Sequence, residues 1–302
     1  MGADKHFKSG FVSVIGRPNA GKSTLINTLT GKKLSITSNK PQTTRRSIRA
    51  IKNGEDYQIV FVDTPGLHKA KDRLGEELNK SALSSLSDVD IIIMMIDASA
   101  KVGTGDAWVA TQIEKLKAKK ICVLSKCEKV DKEALHQQIQ EADKLLNWDG
   151  LVVLSAFTGH NLEALVEEIC DFLPEGPQWF PQDMSTDQPL EMMLAEVVRE
   201  KIFRNFHQEV PYAIGVKIVD MYESDNGVYN IYVDVFCERE SQKAMIVGKG
   251  GQAIKKIGTQ AREDLEKILS QKVYLDIKVE VKARWRDDFE SILDVGYAEE
   301  EQ

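Results

Sequence analysis

The run Gly16-Arg17-Pro18-Asn19-Ala20-Gly21-Lys22-Ser23 has the spacing GxxxxGK[ST]. Its chemistry is the holding of phosphate. The glycines let the backbone turn so that successive N–H groups face one anion. Lys22 is positioned to bridge the β- and γ-phosphates, Ser23 to ligate Mg²⁺ through its hydroxyl, and Thr24 to continue the same first helical turn. A second segment, Asp63-Thr64-Pro65-Gly66, offers a carboxylate for Mg²⁺ through water and a Gly66 N–H for the γ-phosphate. Between them lies Gln42-Thr43-Thr44-Arg45-Arg46, where the Thr44 hydroxyl can complete a Mg²⁺ sphere when the loop closes. By themselves, a Thr-Thr pair and a DTPG turn are common surface features. Their order around the first motif is what ties them to it.

Each segment needs an element to carry it. FVSVIG precedes the first motif and a helical pattern over 22–29 follows it, while YQIVFV delivers Asp63. A helix N-terminus just after the glycines adds partial positive charge. Further strand-length apolar runs, DIIIMMIDAS, KICVLSK and LVVLSAF, alternate with helical patterns over 71–86, 106–118, 132–146 and 161–172. Continuous apolar runs predict strands covered on both faces, and the alternation predicts a doubly wound α/β domain over 1–175. Pro174, Pro177, Pro181 and Pro189 then interrupt the pattern, which predicts a linker over 176–189. From 190 to 302 the pattern changes: a helix over 190–206, strands over 212–221 and 228–236, helices over 241–247 and 252–269, and a strand over 273–281. The order α-β-β-α-α-β predicts a smaller α+β domain.

At 302 residues the chain is long enough for two domains with separate cores. Its 42% hydrophobic and 29% charged residues describe an ordinary globular protein and exclude disordered, collagenous and coiled-coil classes. The longest apolar run, IIIMMI, is far short of the ~20 residues of a membrane span, and MGADKHFKSGF has no apolar core of a secretory signal. Cys122, Cys127, Cys170 and Cys237 show neither a CxxC pair nor metal-ligand spacing and read as thiols in a reducing cytosol. A formal net charge of −7 argues against non-specific nucleic-acid binding but leaves room for a local basic site.

Taken together, FKSGFVSVIGRPNAGKST, QTTRR, DTPG and Leu154-Ser155-Ala156 resemble the Era-type GTPases, in the translation-factor-related branch of P-loop GTPases. The resemblance covers nearly the whole chain. It implies that the loop with Thr44 is switch I, that the segment after Gly66 is switch II, and that Asn19 is associated with a potassium ion near the phosphates. Lys22, Asn19, Gly66 and Thr44 would then share the work of hydrolysis. Leu67 stands where signalling GTPases such as Ras carry a water-positioning glutamine. An aliphatic side chain cannot orient water by hydrogen bonding, so slow hydrolysis is expected. Ser155 and Ala156 match the loop that supports the base.

One motif departs from the pattern. Where the family reads guanine with Asn-Lys-x-Asp, this chain has Ser125-Lys126-Cys127-Glu128. Glu128 keeps the carboxylate that accepts from guanine N1–H and N2–H₂, one methylene further out. Lys126 can still lay its stem over the base. Ser125 is expected to lose both the contact to the base and the brace on the phosphate loop. Guanine selectivity and relaxed base choice both stay open.

In the second domain, Gly248-Lys249-Gly250-Gly251 resembles the GxxG signature of a KH domain, and the element order matches the type II arrangement. GxxG joins two helices tightly and lets a single-stranded backbone approach without a Cβ in the way. From residue 190 on there are 16 Lys and Arg against 22 Asp and Glu, yet from 241 to 261 there are four lysines, Lys243, Lys249, Lys255 and Lys256, and no acid. That is a basic lip on an acidic body. Trp285, between Arg284 and Arg286, fits either a stacking platform or a docked core residue. Glu299–Glu301 read as a frayed, solvated end.

The resemblance implies a cytoplasmic, monomeric GTPase with bound Mg²⁺ that binds the 3′ end of small-subunit rRNA and acts in 30S assembly, with some peripheral membrane association. Two rivals remain at this level: an RNA-binding module holding nucleotide as a structural ligand, and an NTPase of relaxed base choice.

Overall fold

The run Ile91 to Ile96 is a strand whose side chains alternate between two covered faces, each residue at most 1% exposed. Burial on both sides is why it reads as unbroken apolar sequence. The computed structural model describes residues 7–36, 44–45, 47–67, 70 and 72–298. They form two units, residues 1–69 with 78–187 and residues 70–77 with 188–302.

In the first unit the strands are β1 (Lys8–Gly16), β2 (Ile48–Asn53), β3 (Tyr57–Asp63), β4 (Ile91–Asp97), β5 (Lys119–Ser125) and β6 (Gly150–Val153). They form one sheet in the order β2-β3-β1-β4-β5-β6. All neighbours pair parallel except β2, which is antiparallel to β3 at the edge. Its helices are α1 (Lys22–Thr30), the part of α2 (Arg73–Ser84) from Leu78 on, α3 (Thr104–Ile113), α4 (Lys132–Asp143) and α5 (Leu162–Phe172). One face of the sheet packs Val12, Val14, Phe61, Ile93 and Met95 with Leu25 and Ile26 of α1 and Leu165 and Ile169 of α5. The other packs Ile15, Ile92, Met94 and Ile96 with Ala82, Val109, Ile113 and Ala142 of α2 to α4. The doubly wound sheet is therefore as expected, and strand order reverses beside β1, where ligands of such sheets sit at the strands' carboxyl ends.

Two features depart from expectation. The edge strand β2 is absent from the sequence pattern, because Arg49, Lys52 and Asn53 break it into polar and apolar pieces that carry no long apolar run. The proline-rich stretch lies along the first unit instead of running free. Buried Gln58 donates from Nε2 to the Phe180 carbonyl (2.8 Å) and accepts at Oε1 from the Trp179 (2.8 Å) and Phe180 (3.0 Å) N–H groups. Ser9 Oγ donates to the Pro177 carbonyl at 2.6 Å, and the Ile51 N–H donates to the Ser185 carbonyl at 2.8 Å. Prolines cannot extend a sheet, but their carbonyls still accept and the residues between them still donate, so the stretch is strapped on by these hydrogen bonds and by the Phe11–Trp179 ring contact at 5.7 Å.

The second unit contains α6 (Leu190–Asn205), α7 (Val210–Ala213), β7 (Gly215–Glu223), β8 (Val228–Cys237), α8 (Glu240–Val247), α9 (Gln252–Leu269), β9 (Lys272–Val281) and α10 (Phe289–Asp294). Its sheet runs β7-β8-β9, with β7 antiparallel and β9 parallel to β8. With the short α7 and the terminal α10 set aside, the order α-β-β-α-α-β is the KH type II arrangement inferred above. Leu194, Val198 and Ile202 of α6 and Ile257, Ala261 and Leu265 of α9 cover the inner sheet face of Val216, Ile231, Val233 and Val279. Trp285 is fully buried and donates from Nε1 to the Ala213 carbonyl at 2.8 Å, so it is a core residue and not a stacking platform. Asp72, in the segment grouped with this unit, accepts from Arg286 at 2.7 Å. Gln42, Thr43, Arg46 and Glu299–Glu301 lie outside the described residues.

Candidate functional site

The chain leaves β1 through a backbone that only certain residues tolerate. Gly16 has φ 147°, and a Cβ there would stand 2.4 Å from the Met95 carbonyl oxygen. Gly21 has φ 100°, and Asn19, one of the few side chains that accept the left-handed region, has φ 67°. This sequence of turns brings the loop onto the N-terminus of α1, where Gly21 supplies no side-chain cap. The first N–H groups of α1 are thus aimed at whatever occupies the loop, which is the geometry of an anion site.

Lys22, buried at the loop's foot, donates from Nζ to the carbonyls of Gly16 and Arg17, each at 3.2 Å. Burial pulls its pKa down to about 8, against the opposing pull of Asp63. Burial likewise raises Asp63, and Lys22 and nearby hydroxyls work against that rise. Ser23 Oγ donates to Asp63 Oδ2 at 2.8 Å and lies 2.9 Å from Thr44 Oγ1. Thr44 and Asp63, respectively 21 and 40 positions beyond Ser23 in the chain, thus meet it at one point. Asp63 Oδ1 is buried with no hydrogen-bond partner. Two hydroxyls and a carboxylate with an idle buried oxygen are the donor set of a hard cation, and Mg²⁺ fits it with phosphate and water completing the sphere. Among the described residues no cluster of His, Cys, Asp and Glu offers a metal site.

Gly66 packs against the loop so closely that a Cβ would lie 3.1 Å from the Pro18 backbone. Thr64, fully buried, donates to the Val14 carbonyl at 2.9 Å and fixes the DTPG turn to β1. Leu67 is 2% exposed and belongs to the apolar core, so its side chain is withdrawn from the site altogether. Arg17 reaches sideways to Asp106 at 3.1 Å.

The base segment corrects one expectation. Ser125 does not surrender the brace: its Oγ donates to the Ala20 carbonyl at 2.7 Å and lies 3.1 Å from that of Ile96, both inside the protein. A hydroxyl on the strand end is long enough for this because β5 ends directly beside the loop. Lys126 donates to the Asn19 carbonyl at 2.6 Å and to Asp97. Hydrogen bonds from Lys126 and Ser99 hold the Asp97 carboxyl below its usual range despite partial burial, which pulls the other way. Glu128 stands exposed in the single helical turn Cys127–Lys129. Ser155 is buried and Ala156 accepts at its carbonyl from Thr28 Oγ1 at 3.2 Å, so the supporting loop is tied to α1 four residues after Thr24. The sequence reading missed Asp97, which orients Lys126, and Asn27, whose side chain accepts from the Leu34 and Ser35 N–H groups, both at 2.9 Å. Neither residue lies in a contiguous motif.

In the second unit Gly248 ends α8 with φ 73° and ψ 171°, and a Cβ there would stand 2.6 Å from that of Ala253. Only glycine fits. Gly250 (φ 59°) and Gly251 (φ 76°) face open space. Lys249, Lys255 and Lys256 lie around this turn, and α9 begins on Gly251 with no acid in its first turn. An open, uncapped helix N-terminus ringed by lysines can receive a phosphodiester strand.

Comparisons with known proteins agree with both halves. A family profile described as 50S ribosome-binding GTPase matches residues 11–126, and a KH domain profile matches 209–286. The chain is 45% identical to a GTPase Era of Clostridium perfringens over 96% of its length and 98% of that relative. It is likewise 45% identical to one of Halothermothrix orenii, over 96% of its length and 99% of the relative. Among solved structures, an Aquifex aeolicus Era variant bound to GDP and aluminium fluoride superposes with a TM-score of 0.94 at 39% identity, covering 97% of this chain and all of that one. Era in complex with MgGDPNP and nucleotides 1506–1542 of 16S ribosomal RNA matches with the same score, identity and coverage.

Proposed function

This chain belongs to the Era family of GTPases, and on that premise we propose that it binds and hydrolyses GTP in its first unit and holds the 3′ end of small-subunit rRNA on its second, acting in 30S assembly. The observation that carries the first half is the meeting of Ser23, Thr44 and Asp63 beside Lys22. Bound Mg²⁺ supplies charge neutralisation across the β- and γ-phosphates. The chain's own residues do the rest. The loop N–H groups and Lys22 hold the phosphates, Thr44 closes switch I, and the Gly66 N–H meets the γ-phosphate. Glu128, Lys126, Ser155 and Ala156 surround the base. With Leu67 buried, no side chain from that position orients the attacking water, so intrinsic hydrolysis is slow. Single-turnover hydrolysis of GTP and ATP, followed beside binding of an oligonucleotide of the 16S 3′ end, tests the reading. Intact GTP after prolonged incubation leaves only a structural ligand, and equal turnover of ATP leaves an NTPase without base choice.

Potassium accelerates hydrolysis more than sodium, with Asn19 at the loop's left-handed turn helping to hold a monovalent ion where charge develops. Phosphate release at matched ionic strength in the two salts measures this, and equal rates remove the ion from the scheme.

Changing Ser125→Asn together with Glu128→Asp tightens GTP binding by roughly one order of magnitude, about one hydrogen bond's worth of energy. Since the Ser125 hydroxyl already braces the loop, the gain arises at the base. GTP titration decides; a double variant binding no better means that the base is held in another way.

The family also brings a monomeric state and a peripheral membrane association within this proposal. Among the described residues no helix is long and apolar enough to cross a membrane. Sedimentation and flotation with anionic vesicles test the two points.

A further inference from the structure

The sheet of the second unit has an outer face that neither the nucleotide nor the GxxG reading uses. Along β8 the side chains alternate: Ile231, Val233 and Val235 enter the core, while Asn230, Tyr232 and Asp234 point away from it. Tyr232 is the centre of that outer face. Its ring stacks on Tyr222 of β7 (centroids 6.3 Å apart, 21° between planes) and leans against Tyr274 of β9 (6.2 Å, 60°). Tyr222 is 47% and Tyr274 52% exposed. Tyr222 and Tyr232 line a shallow depression of about 370 Å³, with Tyr274 at its side. Two exposed tyrosines packed on a half-buried third are a costly arrangement for an unvisited surface.

Its charge states what it takes. Register puts Asp220 of β7 and Asp276 of β9 directly opposite Tyr232, one on each side. Neither carboxylate makes an ion pair among the described residues. The nearby lysines are engaged: Lys217 pairs with Asp294 and Lys278 with Glu280. Asp234 sits in the next row, between Lys217 and Lys278 in register. Strands lie about 4.8 Å apart, so the two free carboxylates flank the Tyr232 ring with room for one planar cation above it. A guanidinium there stacks on the ring and donates to a carboxylate on either side, the geometry in which arginine surpasses lysine. A phosphate backbone meets repulsion from the same carboxylates.

We propose that this outer face, centred on Tyr232 between Asp220 and Asp276, docks an arginine-bearing segment of a partner protein. Charge complementarity selects the occupant, and the site is distinct from the lysine-ringed GxxG turn of the same unit. RNA and a second copy of this chain are the alternatives that the experiment separates.

The test uses the full-length protein and a fluorescein-labelled peptide of alternating Arg and Gly, followed by anisotropy at low salt. Asp220→Asn with Asp276→Asn weakens peptide binding at least about tenfold, since both carboxylate charges that assist the guanidinium's hydrogen bonds are lost. Tyr232→Leu weakens it about fivefold, and Tyr232→Phe, which keeps the ring, restores it. Far-UV circular dichroism and the thermal unfolding of the second unit, unchanged in all three, show that the variants fold, since that unit has its own apolar core. The proposal is overturned if wild type fails to bind the peptide or if the charge-neutral variant binds it equally well. It is also overturned if Tyr232→Leu instead abolishes binding of a single-stranded RNA oligomer, or dissolves a dimer seen by sedimentation.

Discussion

Lys22→Ala abolishes triphosphate binding. The ammonium is the one cation buried at the foot of the phosphate loop among the described residues, and its contacts to phosphate are charge-assisted. Hydrogen bonds to charged groups are worth roughly 1.5–3 kcal/mol each, and two such contacts together give about 3–6 kcal/mol, or between two and four orders of magnitude in affinity. The loss falls on nucleotide and not on the fold. In the free protein Nζ contacts only two loop carbonyls, at 3.2 Å each, and its burial already disfavours the charge. Thermal unfolding without nucleotide therefore changes little, while titration with a fluorescent GTP analogue shows no saturation in the micromolar range. An affinity equal to wild type would falsify the phosphate-loop assignment.

Lys249→Asp combined with Gly250→Asp eliminates single-stranded RNA binding and leaves hydrolysis nearly intact. The pair shifts local charge by about three units at a turn that must lie against phosphates, and each lost phosphate contact lowers the salt slope by about 0.7. Gly250 has φ 59°, and a Cβ added there would have nothing within 4 Å, so an aspartate meets no clash. It adopts the left-handed region at a cost of about 1 kcal/mol, less than most residues. Damage to the fold is small, whereas a side chain now stands where the RNA backbone would approach. Gly248 would be the wrong choice for this experiment, because its Cβ would collide with Ala253 and unravel the helix junction. The two units have separate apolar cores, so a surface change in one leaves the other folded. RNA affinity across a salt series, measured beside phosphate release, decides; retention of both affinity and slope would reduce the GKGG turn to a helix connection.

What could be read from sequence was whatever depends on neighbouring residues. GRPNAGKS announces itself because its glycines, its lysine and the helix that follows are contiguous, and each needs only its own φ and ψ to take its place. IIIMMI reads as a doubly covered strand because alternation at period two is local. The GKGG turn and the α-β-β-α-α-β order are likewise short-range patterns. Tertiary structure decided everything that depends on who meets whom. Thr44 is uninformative until the fold sets it 2.9 Å from Ser23. Ser125 looks like a lost brace until β5 ends beside the loop and lets a hydroxyl do the work of an amide. Asp97 and Asn27 have no motif to mark them, and Trp285 could serve either core or ligand until its indole meets the Ala213 carbonyl. The prolines of 174–189 mark a break in the pattern, but not that Gln58 straps the segment down. Local backbone preference is written in adjacent residues; a contact between residues tens or hundreds of positions apart is set by packing of the whole core, and no spacing in the chain records it.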